Sequence, residues 1–165
     1  MTAHNSLRRF LSFFALTVFV GLYGAPTAQA GSLNCVQFVE RNTAFALHGD
    51  AWRWWENAAG QYGRGNRPRP GAVMVFSRSA RLPFGHVAKV RSVQNNRTIL
   101  VDHANWSPID GRRGQVETAV AVLDVSPKND WSAVRVWYRP SADFGQKSFP
   151  VRGFVYPVPT HQHRR

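Results

Sequence analysis

The chain has a single cysteine, Cys35, in 165 residues. One thiol cannot close an internal disulfide. In an exported protein it is an intermolecular link, a reactive group or an inert buried side chain. Acidic residues are also scarce: nine Asp and Glu stand against 21 Lys and Arg, a formal charge of +12. That imbalance favours polyanionic partners such as nucleic acid, anionic lipid or anionic cell-wall polymer. The basic residues are dispersed, and "RNRPRP" is broken by proline, so no nucleic-acid-binding motif forms. Internal repeats and long low-complexity stretches are missing. No apolar run reaches the ~20 residues of a membrane span. At this length the chain is one domain with its own core.

What is present begins with an export pattern. "MTAHNSLRR" is a short basic head, "FLSFFALTVFVGLYG" an apolar run, and "AQA" supplies Ala28 and Ala30 for cleavage. This order reads as a secretory signal peptide over residues 1–30 rather than a retained anchor. Cleavage removes two arginines and no acid, which lowers the formal charge to about +10. The expected product is secreted or periplasmic, free of the membrane and of nucleic acid, and monomeric. Its domain spans 31–157, with a disordered tail over 158–165.

In "CVQFVERNTAFAL" the apolar residues recur every three or four positions, which predicts a helix over 35–47. Ser32 and Asn34 are suitable N-caps, and Gly49 is a suitable stop. "DAWRWWENAAG" predicts a second helix from Asp50 to Gly60, with Trp52 and Trp55 on one face. After the Gly- and Pro-rich "QYGRGNRPRPG" the period changes to two. Strands are expected over 72–76, 86–93, 98–106, 116–125, 132–138 and 150–156, with "NNR" at 95–97 as a tight hairpin. Helices followed by an antiparallel meander make an α+β domain.

Cys35 thus stands at or near a helix N-terminus, where oriented N–H groups favour a thiolate. A nucleophilic thiol also needs an imidazole. His161 and His163 lie in the expected tail. His48 closes the same predicted helix, nearly 20 Å away at ~1.5 Å per residue. His86 and His103 remain. His86 opens a strand after Gly85, which leaves room for another backbone or a substrate. It shares a strand face with Ala88 and Val90, in alternation with Val87, Lys89 and Arg91, so it is expected to face the helix layer. In "ILVDHANWS", Ile99, Val101, His103 and Asn105 share one strand face, which turns from apolar to polar towards its end. A Cys–His–(His or Asn) constellation follows, with Asp102 as rival orienter if the register slips by one.

"NCVQFVERN", "PRPGAVMVF", "GHVAKV" and "VDHANWS", in that order, resemble the CHAP family, the cysteine- and histidine-dependent amidohydrolase/peptidase domains of papain-like bacterial cell-wall hydrolases. The likeness covers about residues 33–107. It implies a papain-like α+β fold with N-terminal helices packed on an antiparallel sheet. It further implies Cys35 as nucleophile and His86 as general base. The family's acidic residue is replaced here by His103, and Asn105 matches the Asn two places later. The Gln that often precedes the nucleophile is replaced by Asn34, a candidate oxyanion donor. The activity implied is hydrolysis of amide bonds in peptidoglycan peptides, with anionic wall polymer as partner. No cofactor is called for, and the Cys and His residues lack zinc-site spacing. Two alternatives stand beside it: a non-catalytic cationic wall-binding groove built on Trp52, Trp55 and Trp106, and an amidase acting on another small amide.

Overall fold

A computed structural model describes residues 33–157, so the expected signal peptide and tail lie outside the described residues. Helix α1 spans Cys35–Asn42. Its start is a capping box: Asn34 Oδ1 accepts Gln37 N–H at 2.8 Å, and Gln37 Oε1 accepts Asn34 N–H at 3.2 Å. Eight residues make a marginal helix in isolation. Packing holds it, because Phe38 and Val39 are buried, each stabilising by about 1.5–3 kcal/mol. The helix stops earlier than its apolar period predicts. Asn42 Nδ2 donates to Phe38 O at 2.8 Å, and Thr43 Oγ1 donates to Val39 O at 2.7 Å. These side chains satisfy the last carbonyls, and Thr43 turns extended. Phe45 and Leu47 are still buried, but from an irregular segment. The second predicted helix is also shorter. A 3₁₀ turn at Ala51–Arg53 leads into α2, Trp54–Asn57. There the fully buried ring is Trp54, not Trp52 or Trp55.

Eight antiparallel strands follow: β1 (Gly63–Gly65), β2 (Val73–Phe76), β3 (His86–Val93), β4 (Thr98–Ala104), β5 (Val116–Asp124), β6 (Ala133–Tyr138), β7 (Asp143–Phe144) and β8 (Phe149–Tyr156). The six long ones match the expected runs to within about two residues, and Asn95–Arg97 turn between β3 and β4. β2 to β6 form a meander. β8 then pairs with both β2 and β6, closing six strands into a barrel flanked by β1 and β7. The fold is therefore α+β, two short helices packed against an antiparallel six-strand barrel.

Alternation along the strands divides the core in two. Inside the barrel lie Met74, Phe76, Ala88, Val90, Ile99, Val101, Val122 and Phe154, with Trp106 and Trp131. Outside it, Val73, Val75, Val87, Ala104 and Val155 meet Phe38, Val39 and Trp54. The helices cover that outer face. The hairpin from β5 to β6 is held by buried Asp124, which accepts Ser126 N–H at 2.8 Å and Ser126 Oγ–H at 2.6 Å.

The start of β3 is held by a close approach. Gly85 has φ +70°, and a Cβ there would meet Trp52 N at 2.7 Å and Phe76 O at 2.9 Å. Trp52 N–H donates to Phe84 O at 3.2 Å. The room that glycine leaves is thus filled by this chain's own backbone rather than by a substrate. Gly85→Ala should destabilise the fold by about 2 kcal/mol or more, from left-handed strain and the clash together. A urea-unfolding midpoint equal to that of the parent protein would contradict this.

Candidate active site

Cys35 is the first residue of α1, half-buried, and its thiol is a free one. With Gln37 N–H taken by the cap, the N–H groups of Cys35 and Val36 are donors that the helix itself leaves unused. Both lie close enough to the Cys35 sulfur to favour its anion, and so does the N–H of Val87 in β3. The thiol therefore rests against the strand immediately after His86. Burial pushes the thiol's pKa up from its ordinary value, and the three N–H groups oppose that rise.

His86 pairs with Phe76 across β2 and β3. Its ring does not turn to the helix layer, as the face it shares with Ala88 and Val90 implies from sequence. Those two residues line the barrel interior, whereas Val87 packs on the helices. His86 accordingly meets the edges of Phe76 and Trp106, at centroid distances of 5.4 and 4.9 Å. Its Nε2 lies 3.0 Å from His103 Nδ1. The ring's other nitrogen, Nδ1, is left without a protein hydrogen bond among the described residues, and none joins the ring to the Cys35 sulfur.

His103 continues the Ile99–Val101 face into the barrel, fully buried. Trp106 stacks on it at 5.6 Å and 22°, so one indole covers both imidazoles. Asn105 departs from the shared strand face expected of it. Its φ of 65° ends the alternation, and its side chain makes no hydrogen bond to His86. Of the two candidate orienters in "HAN", the fold pairs His103 with His86 and leaves Asn105 without a hydrogen bond to it. Asp102 is withdrawn as a rival. Its carboxylate faces outward, accepting from Arg91 Nε at 2.8 Å and from Ala119 N–H at 2.9 Å at a bulge in β5.

Burial drives both imidazoles towards neutrality. His103 is lowered to about 4, with the Asp102 charge opposing. His86 is held well below its ordinary value by burial first, then by His103 and by the positive charge of Arg113. The tautomers follow. If His86 Nδ1 is to take a proton, Nε2 carries the hydrogen and donates to His103 Nδ1, and His103 then carries its own hydrogen on Nε2. That last atom is buried and unpartnered.

The remaining sequence candidates divide. Asn34 uses Oδ1 for the cap, so only Nδ2 is left as a side-chain donor. Trp106 is 8% exposed and, with His86 and Asn105, borders a cavity of about 810 Å³. Trp52 and Trp55 do not line it, and neither does Cys35. Trp52 lies beside Arg53 and Arg78, and Trp55 between Arg64 and Arg152 over Gly153. The three tryptophans therefore do not form one groove. Arg81, Arg113 and Lys147 border the cavity too. Sequence pattern did not mark them, because each is an ordinary loop cation until the fold brings it there.

Two pH dependences follow. Both histidines bind protons more weakly in the fold than in the unfolded chain, so stability is complete above pH 6.5 and declines as pH falls towards 4. For His103 alone, the drop from 6.5 to about 4 amounts to about 3 kcal/mol. The urea midpoint should fall over that window, and His103→Gln should flatten the fall; an identical slope in the variant would contradict the assignment. Alkylation of Cys35 by iodoacetamide should in turn be slow at neutral pH and rise only above the free-cysteine value of about 8.5. A reactive plateau at pH 5–6 would contradict the raised thiol pKa.

No curated protein matches the chain. The CHAP domain family model matches residues 25–105, a span that contains α1, β2, β3 and β4 and therefore Cys35, His86 and His103. This match, together with the two-helix and barrel architecture, implies a cysteine- and histidine-dependent amidohydrolase or peptidase of the kind that acts on cell walls. The chain belongs to the CHAP domain family.

Proposed function

We propose that the protein is an exported cysteine amidase or endopeptidase that hydrolyses amide bonds in peptidoglycan peptides. The observation that carries this reading is the junction at the start of β3. There the Cys35 thiol rests on Val87 N–H, and His86, one residue earlier, is oriented through Nε2 by His103. Nucleophile, base and orienter come from α1, β3 and β4, in the roles that thiol acyl transfer requires.

The resting site holds a protonated thiol and a neutral imidazole, so proton transfer accompanies attack. As the sulfur approaches the substrate carbonyl, His86 Nδ1 takes the thiol proton. The new imidazolium keeps its Nε2–H on His103 Nδ1. The oxyanion is met by the Cys35 N–H at the helix start, with Asn34 Nδ2 as a second donor. His86 then passes its proton to the leaving nitrogen, and the C–N bond breaks to leave a thioester on Cys35. A water molecule, deprotonated by the same Nδ1, releases the acid and restores the thiol. His103 offers a lone pair but no charge, so it orients the base without the ion-pair stabilisation that a carboxylate would add. The export pattern and the excess of basic residues support a wall polymer as the target.

The raised thiol pKa favours a second reading, a wall-binding domain that does not cut. Purified sacculi separate the two. The chain should clear their turbidity and release soluble fragments that mass spectrometry identifies. Cys35→Ala and His86→Ala should each lower the rate by about a thousandfold or more, and His103→Gln by a smaller factor. Because His86 is neutral down to well below pH 6.5, the acid limb of kcat/KM should lie well below that value. Lysis by Cys35→Ala at the parent rate would reject the mechanism.

A further inference from the structure

The cavity beside His86 has an unusual charge. Arg81, Arg113 and Lys147 border it, and no Asp or Glu does. None of the three is in an ion pair among the described residues, whereas Arg64, Arg91, Arg97 and Arg152 each face a carboxylate. The cavity also has an apolar wall in Leu82, Val136 and Phe149.

Arg113 is the informative member. Its Nη1 donates to Trp106 O, which anchors the cation on the residue that covers both imidazoles. Its charge is close enough to lower the proton affinity of His86. Alone, this placement opposes the reaction, because His86 must become an imidazolium as the thiol attacks. An anion beside Arg113 would cancel the opposition. The chemistry also says which part of the substrate lies there. The proton on His86 goes to the leaving nitrogen, so the leaving group must sit on the His86 side of the thiol. His86, Asn105 and Trp106 border the cavity, and Cys35 does not.

We propose that this cavity is the leaving-group site and that it selects amides whose released amine carries a free carboxylate, namely an amino acid or a short peptide acid. Arg113, Arg81 and Lys147 pair with that carboxylate while the apolar wall takes the side chain. The inference rests on the cysteine-amidase reading for its catalytic consequence, but the binding it describes can be read without turnover.

The test uses two substrates with the same acyl donor and the same leaving residue, one ending in a free carboxylate and the other in a primary carboxamide. The free acid should have the higher kcat/KM by about tenfold or more, mainly through KM, as charge-assisted pairing implies. Raised salt should narrow the ratio. Arg113→Gln, and separately the exposed Arg81→Gln and Lys147→Gln, should pull the ratio towards one. Arg41→Gln, a charge-matched change on α1, should leave it as it is. Equal rates on acid and carboxamide would overturn the proposal while leaving the amidase reading intact. In parallel, alanylalanine and its carboxamide are titrated into the Cys35→Ala protein and followed by tryptophan fluorescence. Saturable binding of the acid alone, weakened by Lys147→Gln, supports the site even if no amide is cleaved. Equal binding of both, or of neither, overturns it.

Discussion

The 3.0 Å hydrogen bond between His86 Nε2 and His103 Nδ1 requires one buried ring to donate and the other to accept. It is possible because burial removes protons from both: two imidazolium ions at this distance would repel, while two neutral rings fit. The rest of the site is arranged around that pair. Phe76 meets the edge of His86, and Trp106 lies against both rings and excludes water. β3 and β4 bring the two residues together as neighbouring strands of one hairpin. The price of a dry pair is that neither ring readily carries charge. Burial acts on Cys35 in the same sense, raising its thiol above its ordinary value and so favouring the uncharged form.

The barrel supplies the rigidity that such a pair needs. A lone hairpin is marginally stable, and its strand ends fray. Here β8 joins β2 to β6, so the strands that carry the histidines belong to a closed sheet. The bulge in β5 opposite His103 absorbs the misfit between the two strands. Asp102 stabilises it by accepting Ala119 N–H, and this use of the carboxylate is what keeps Asp102 out of the site. Helix α1 docks on the outer face through Phe38 and Val39, which sets its N-terminus, and the thiol with it, against Val87.

Much of this was legible in the residues. The strands of the barrel announce themselves by alternation and β-branched runs, and Asn34, one of two suitable N-caps, stands where α1 begins. Helix ends were less legible. The apolar period continues through Phe45 and Leu47, but Asn42 and Thr43 turn their side chains onto the last carbonyls and end the helix first. The facing of His86 escapes local pattern for a related reason. Small apolar neighbours imply burial, yet this sheet buries both faces, and alternation cannot say which one meets the helices. Asn105 left the strand face because its backbone turned left-handed, a change that period-two reasoning does not register.

Local chemistry along the chain determined the antiparallel α+β class, the capped helix start at Cys35 and a short list of histidines able to serve it, because each depends on spacing within a few residues. Tertiary structure alone decided that His103 rather than Asn105 or Asp102 pairs with His86, that Trp106 covers both rings, and that three loop cations gather beside His86. Those outcomes depend on barrel closure and on a bulge, which join residues far apart in the chain. No local pattern encodes a contact whose geometry is fixed only when the last strand pairs.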